Sequence, residues 1–66
     1  MQVIINGEAH QVADQLSLGQ AVAMLTSART GVAAAVNGDV VRRTSWDATP
    51  LTDGDEVEVL TAVQGG

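Results

Sequence analysis

Residues 2–12, Gln2-Val3-Ile4-Ile5-Asn6-Gly7-Glu8-Ala9-His10-Gln11-Val12, decide how this chain begins its fold. From Gln2 to Asn6 the side chains alternate, with Val3 and Ile5 on one face, which predicts a half-buried strand. Asn6-Gly7 is a two-residue hairpin signal, because the tight turn that suits twisted strands needs positive φ at both central positions. Ala9 to Val12 then predicts the returning strand.

Working outward, Ser17-Leu18-Gly19-Gln20 fits a capping box, with Ser17 as N-cap and Gln20 bonding back to it. Leu18, Ala21, Val22, Leu25 and Ala28 follow at helical spacing, and Gly31 is the predicted stop. Val32 to Val36 reads as a buried strand, although its alanines have little strand preference. Asn37-Gly38 is a second turn signal, and Val40-Val41 opens a short strand. Thr44-Ser45-Trp46-Asp47 predicts one helical turn capped by Thr44, and Pro50 and Asp53-Gly54 mark a loop. In the last strand Val57 and Val59 point inward, while Glu56, Glu58 and Leu60 share the outward face. Strand, hairpin, strand, helix, short strands and a final strand is the order of an α+β, ubiquitin-like β-grasp. A mixed sheet of four to five strands curls over one helix. Residues 1–66 are expected to form a single domain, with 61–66 as an extended, flexible tail.

Composition narrows the function. Sixty-six residues without cysteine leave a small core with no disulfide and no thiolate metal site to supplement it. One histidine, His10, cannot build a metal site by itself. Eight acids face Arg29, Arg42 and Arg43, there is no lysine, and the net charge is -5. That balance argues against nucleic-acid phosphates, suits a basic protein surface, and excludes a phosphate-gripping P-loop. No apolar run approaches the ~20 residues of a membrane span. The start lacks the basic region of a signal peptide, so a cytoplasmic location is expected.

Gly65-Gly66 closes the sequence. Glycine has no Cβ, so such a pair adopts backbone angles closed to other residues and passes a narrow channel. Six extended residues from Thr61 to Gly66 reach roughly 20 Å. Together with the Met1-Gln2-Val3-Ile4 opening, Val36-Asn37-Gly38, Val41-Arg42-Arg43 before Trp46, and Asp53-Gly54-Asp55, this ending resembles the ThiS family. These are the ubiquitin-like sulfur carriers of thiamine biosynthesis. The family usually carries proline where Arg42 stands.

The resemblance implies a carrier and not an enzyme, with no catalytic side chain, no metal and no bound cofactor. Its functional group is the carboxyl of Gly66, and Gly65 gives that group steric access. A terminal carboxyl has a reference pKa of about 3.5 and is a poor electrophile once ionised. A ubiquitin-activating-type adenylyltransferase is expected to consume ATP and convert it to an acyl-adenylate. A sulfur donor protein then displaces AMP, leaving a thiocarboxylate that a thiazole synthase draws on. The absence of lysine and cysteine suits such reactive ends, since only the Met1 amine could attack from within. A molybdopterin-synthase small subunit, another ubiquitin-like sulfur carrier, or an interaction module without sulfur chemistry are the alternatives. An acyl carrier protein with a modified Ser17 is disfavoured by the strand content.

Other residues read more plainly. His10 is expected to be exposed, and Trp46 to cap a small core. Asp53, Asp55, Glu56 and Glu58 fall on two strand faces and lack the spacing of a calcium loop. Leu60 is expected as an exposed apolar anchor for a protein partner, with Glu56 and Glu58 as its acidic rim. The free carrier is expected to be a monomer.

Overall fold

The computed structural model describes residues 1–28 and 30–61. β1 (Gln2–Ile5) and β2 (Glu8–Gln11) form the expected hairpin, with Val3 across from His10 and Ile5 across from Glu8. β3 (Val32–Val36) and β4 (Asp39–Val41) form a second one. Both turns are built alike. Asn6 and Gly7 have φ of 50° and 85°, and Asn37 and Gly38 have 50° and 86°, positive at both central positions. Asparagine and glycine accept that conformation at least cost.

α1 (Leu18–Leu25) starts at Ser17 with the full capping box. The Gln20 N–H donates to Ser17 Oγ at 3.1 Å, and the Ser17 N–H donates to Gln20 Oε1 at 2.9 Å. The helix ends a turn earlier than the apolar spacing suggests. Thr26 is extended, and its Oγ1 accepts from the Ala28 N–H at 3.0 Å. This local side-chain bond competes with continued helix. Ala28 therefore lies beyond α1, and Leu25 is exposed.

A 3-10 helix (Arg43–Ala48) connects β4 to the last strand, and its N-cap is Arg42, not Thr44. Arg42 has φ -65° and ψ 148°, the φ to which a proline ring would be locked. Arginine at this position therefore keeps the path that proline prescribes. β5 (Glu56–Thr61) is last in the chain and central in the sheet, whose order is β2-β1-β5-β3-β4. It pairs parallel with β1 and antiparallel with β3, so the sheet is mixed and five-stranded. Thr61 pairs with Val32, so it closes β5 instead of opening a tail. Residues 62–66 lie outside the described residues.

α1 covers one face of the sheet. Val3, Ile5, Val57 and Val59 meet Leu18, Ala21 and Val22 there, with Leu51 and Trp46 closing the core. The loop entering α1 is stitched to the loop before β5. The Leu18 N–H donates to Thr49 O at 2.8 Å, and the Leu51 N–H to Leu16 O at 2.8 Å. Trp46 is buried, as a core cap should be, and its Nε1–H donates to Val41 O at 2.9 Å. His10 departs from expectation. It shares the inner face with Val3 and is half-buried at the sheet edge.

Candidate functional site

The face of the sheet opposite α1 carries the outward residues of β3, β4 and β5. Glu56, Glu58 and Leu60 alternate with buried Val57 and Val59, as the sequence predicts. Leu60 is 71 % exposed. Ala33 lies across from it, and Ala35 lies between Glu58 on one side and Val40 on the other. Val40 is 80 % exposed. Two methyl groups thus form a floor, and Leu60 and Val40 stand up on either side of it. The resulting shallow groove has a volume of about 200 Å³ and includes Gly38 and Glu58.

The outward register of Leu60, Glu56 and Glu58 was read from the sequence, whereas the exposed Val40 and the alanine floor beside Leu60 were not. The signal was present. Three successive alanines in a strand make poor packing material. Only Ala34 is buried in the core, whereas Ala33 and Ala35 face outward and keep the groove open. Branched residues there would fill it.

The acids nearer the start of β5 build the loop, whereas Glu58 lines the groove and Glu56 lies outside its lining on the same strand face. Asp53 Oδ1 accepts from the Gln2 N–H at 2.8 Å. Asp55 Oδ2 accepts from the Thr52 N–H at 2.8 Å, while its Oδ1 takes the Thr52 hydroxyl at 3.0 Å and Asn37 Nδ2 at 3.1 Å. The Thr52 N–H above all, with smaller help from Asn37 and the Thr52 hydroxyl, holds the Asp55 carboxyl below its usual range against slight desolvation. Among the described residues no group of three His, Cys, Asp or Glu side chains could hold a metal ion, and no helix is long and apolar enough to cross a membrane.

A second, larger cleft of about 300 Å³ lies between α1 and the 3-10 helix. Arg43 reaches over the Trp46 ring there, 5.3 Å from its centre. That contact occupies the arginine with the protein's own tryptophan. The Met1 amine, the one internal nucleophile noted in the sequence, donates to Val12 O at 2.8 Å and to Asp14 at 3.2 Å. Gly65 and Gly66 lie outside the described residues. Thr61, the last described residue before them, directly follows Leu60 on β5.

Comparison with known proteins agrees with this architecture. The family model described as the ThiS family matches residues 3–66. The sulfur carrier protein ThiS of Escherichia coli (strain K12) is 29 % identical over 66 residues, covering 100 % of both chains. The crystal structure of a thiamine biosynthesis protein (ThiS) from Geobacter metallireducens is 35 % identical, covers 100 % of both chains and superposes with a TM-score of 0.79. A solution structure of a thiamine biosynthesis protein from the same organism gives 0.81 at 35 % identity, over 100 % of this chain and 88 % of that one. A mixed five-stranded β-grasp with one helix, a match that runs on through Gly65-Gly66, and end-to-end similarity to these relatives together place this chain in the ThiS family.

Proposed function

We propose that this protein is the sulfur carrier of a thiamine-biosynthesis pathway, a protein cosubstrate and not a catalyst. The observation that carries the reading is the ThiS-family match over residues 3–66, which includes the diglycine. The carboxylate of Gly66 attacks ATP in the site of a ubiquitin-activating-type adenylyltransferase, forming an acyl-adenylate and releasing pyrophosphate. Sulfide (HS⁻), released by a donor protein, adds to the activated carbonyl. The C–O bond to AMP then breaks as the C–S bond is retained, leaving a thiocarboxylate. A thiazole synthase takes the sulfur from it. The carrier itself holds no cofactor, and its ATP is spent by the partner.

Residues 1–61 act as the body and 62–66 as the arm of a single domain. The arm supplies roughly 17 Å of reach when extended. Gly65 supplies steric access and Gly66 the reacting group. Partners dock on the groove of Leu60, Val40, Ala33 and Ala35, with Glu56 and Glu58 meeting a basic rim. Exposed apolar side chains beside an acidic surround suit such a contact, and Leu60 stands only a few residues before Gly66 in the chain. The protein works in the cytoplasm and is a monomer when free.

The test is intact mass after incubation with ATP, a sulfur source and the host's adenylyltransferase. Replacement of one oxygen by sulfur at Gly66 is the expected result. An unchanged mass with a fully active enzyme would overturn the reading.

A further inference from the structure

β1 and β5 pair at only two positions, Ile4 with Glu56 and Ile5 with Val57, because the chain leaves β1 into the Asn6-Gly7 turn. The Asn6 N–H still donates to Val57 O at 2.9 Å. Beyond that point no strand among the described residues lies beside the groups of β5 that face β1. The Asn6 side chain takes the strand's place. Its Oδ1 accepts from the Val59 N–H at 2.9 Å, and its Nδ2 donates to Val59 O at 3.1 Å. One carboxamide satisfies both backbone groups of Val59, which in a continuing strand would take two successive peptide groups.

The second turn offers an internal comparison. Asn37 Oδ1 accepts from the Glu56 N–H at 3.0 Å, and its Nδ2 donates to Asp55 Oδ1 at 3.1 Å. It ties the entrance of β5, whereas Asn6 ties the strand just before its exit at Thr61. Both asparagines serve turns with the same backbone angles. Glycine would serve those angles equally well. The turn admits either residue, so it is the two bonds to Val59 that give the carboxamide at Asn6 a further task.

We propose that Asn6 is a positioning residue of the carrier. Its carboxamide pins β5 at Val59, fixes the line along which the chain leaves the sheet after Thr61, and thereby sets how well Gly66 is presented for activation. This rests on the reading of Gly66 as the activated residue. A shift at the exit of β5 moves the point from which the chain after Thr61 starts, and small misplacements of a reacting group cost large factors in rate.

Asn6→Gly keeps the turn and removes the carboxamide, and Asn37→Gly does the same at the entrance of β5. In the free carrier, amide hydrogen exchange at Val59 should quicken about fivefold or more in Asn6→Gly. It should stay unchanged in Asn37→Gly. With the adenylyltransferase, ATP–pyrophosphate exchange by Asn6→Gly should show kcat lowered roughly tenfold with KM nearly unchanged. Asn37→Gly should keep the wild-type kcat at a comparable loss of melting temperature. Equal losses in the two variants, or a wild-type kcat in Asn6→Gly, would overturn the proposal. If Asn6→Gly fails to fold, Asn6→Asp is measured against the same criteria, since it keeps the acceptor for Val59 N–H but loses the donor. No exchange from the wild-type carrier would count against the activation chemistry instead. Val59 protection would then still decide whether the carboxamide pins the strand, and unchanged protection in Asn6→Gly would end the proposal.

Discussion

Leu60 stands directly across from Ala33 on the open face of the sheet, a large apolar side chain beside a single methyl group. Because Leu60 faces outward, trimming it removes nothing from the core. Leu60→Ala should change folding stability by no more than about 0.5 kcal/mol. Loss of an anchor should weaken binding to the activating enzyme by about 2 kcal/mol, or roughly thirtyfold, mainly through faster dissociation. Glu56→Gln and Glu58→Gln should instead slow association and flatten its dependence on salt. Binding kinetics and thermal melting on the same variants separate these effects. A lower melting temperature with unchanged affinity would remove Leu60 from the interface.

Removing Gly66, or adding one residue after it, should abolish adenylation while the body stays folded. Gly65→Val should impair loading, because a β-branched side chain narrows the allowed backbone and adds bulk. ATP–pyrophosphate exchange reads both effects, with circular dichroism as the check on folding. Exchange at the wild-type rate by the truncated chain would assign the reacting group elsewhere.

Asp55 links stability to pH through its bonds from Thr52 and Asn37. Its carboxyl is held below the ordinary value of 3.8, so the ionised form is favoured in the folded state. The contribution is complete above that value and is lost as pH falls through the folded one. Asp55 is only half-buried, so solvent screening keeps the effect small. Asp55→Asn should have a lower urea midpoint than wild type at neutral pH, and the two should converge in strong acid. A gap that persists in acid would show that the difference is packing and not charge.

Trp46 joins the 3-10 helix to β4 through its bond to Val41 O. Trp46→Phe keeps an aromatic ring in the core but deletes the donor, which should cost about 1–2 kcal/mol. Chemical denaturation followed by circular dichroism measures this without relying on the lost fluorophore. Adenylation of the folded variant should stay near wild type, because the 3-10 helix packs on the side of the sheet away from the Leu60 groove. A large kinetic defect with little loss of stability would implicate the Arg43–Trp46 cleft in partner contact.

What the sequence determined by itself is what neighbours in the chain decide. Both asparagine-glycine turns, the Ser17–Gln20 capping box and the inward–outward alternation of β5 depend on contacts within a few residues, and each stands as read. The resemblance carried by the turns, the Trp46 region and the diglycine was legible for the same reason. The end of α1 was not, because apolar spacing continues to Ala28 while a threonine side-chain bond stops the helix. Tertiary structure alone decided that the last strand becomes the middle one, held between β1 and β3, far from either in sequence. It alone turned two weak strand formers, Ala33 and Ala35, into the floor of a groove that Val40 and Leu60 enclose. It also gave two asparagines a second task on β5, since a side-chain amide can substitute for a missing strand only where folding has brought that edge beside it. Such pairings carry no periodic signature, because their partners meet only after loop closure has brought distant segments together.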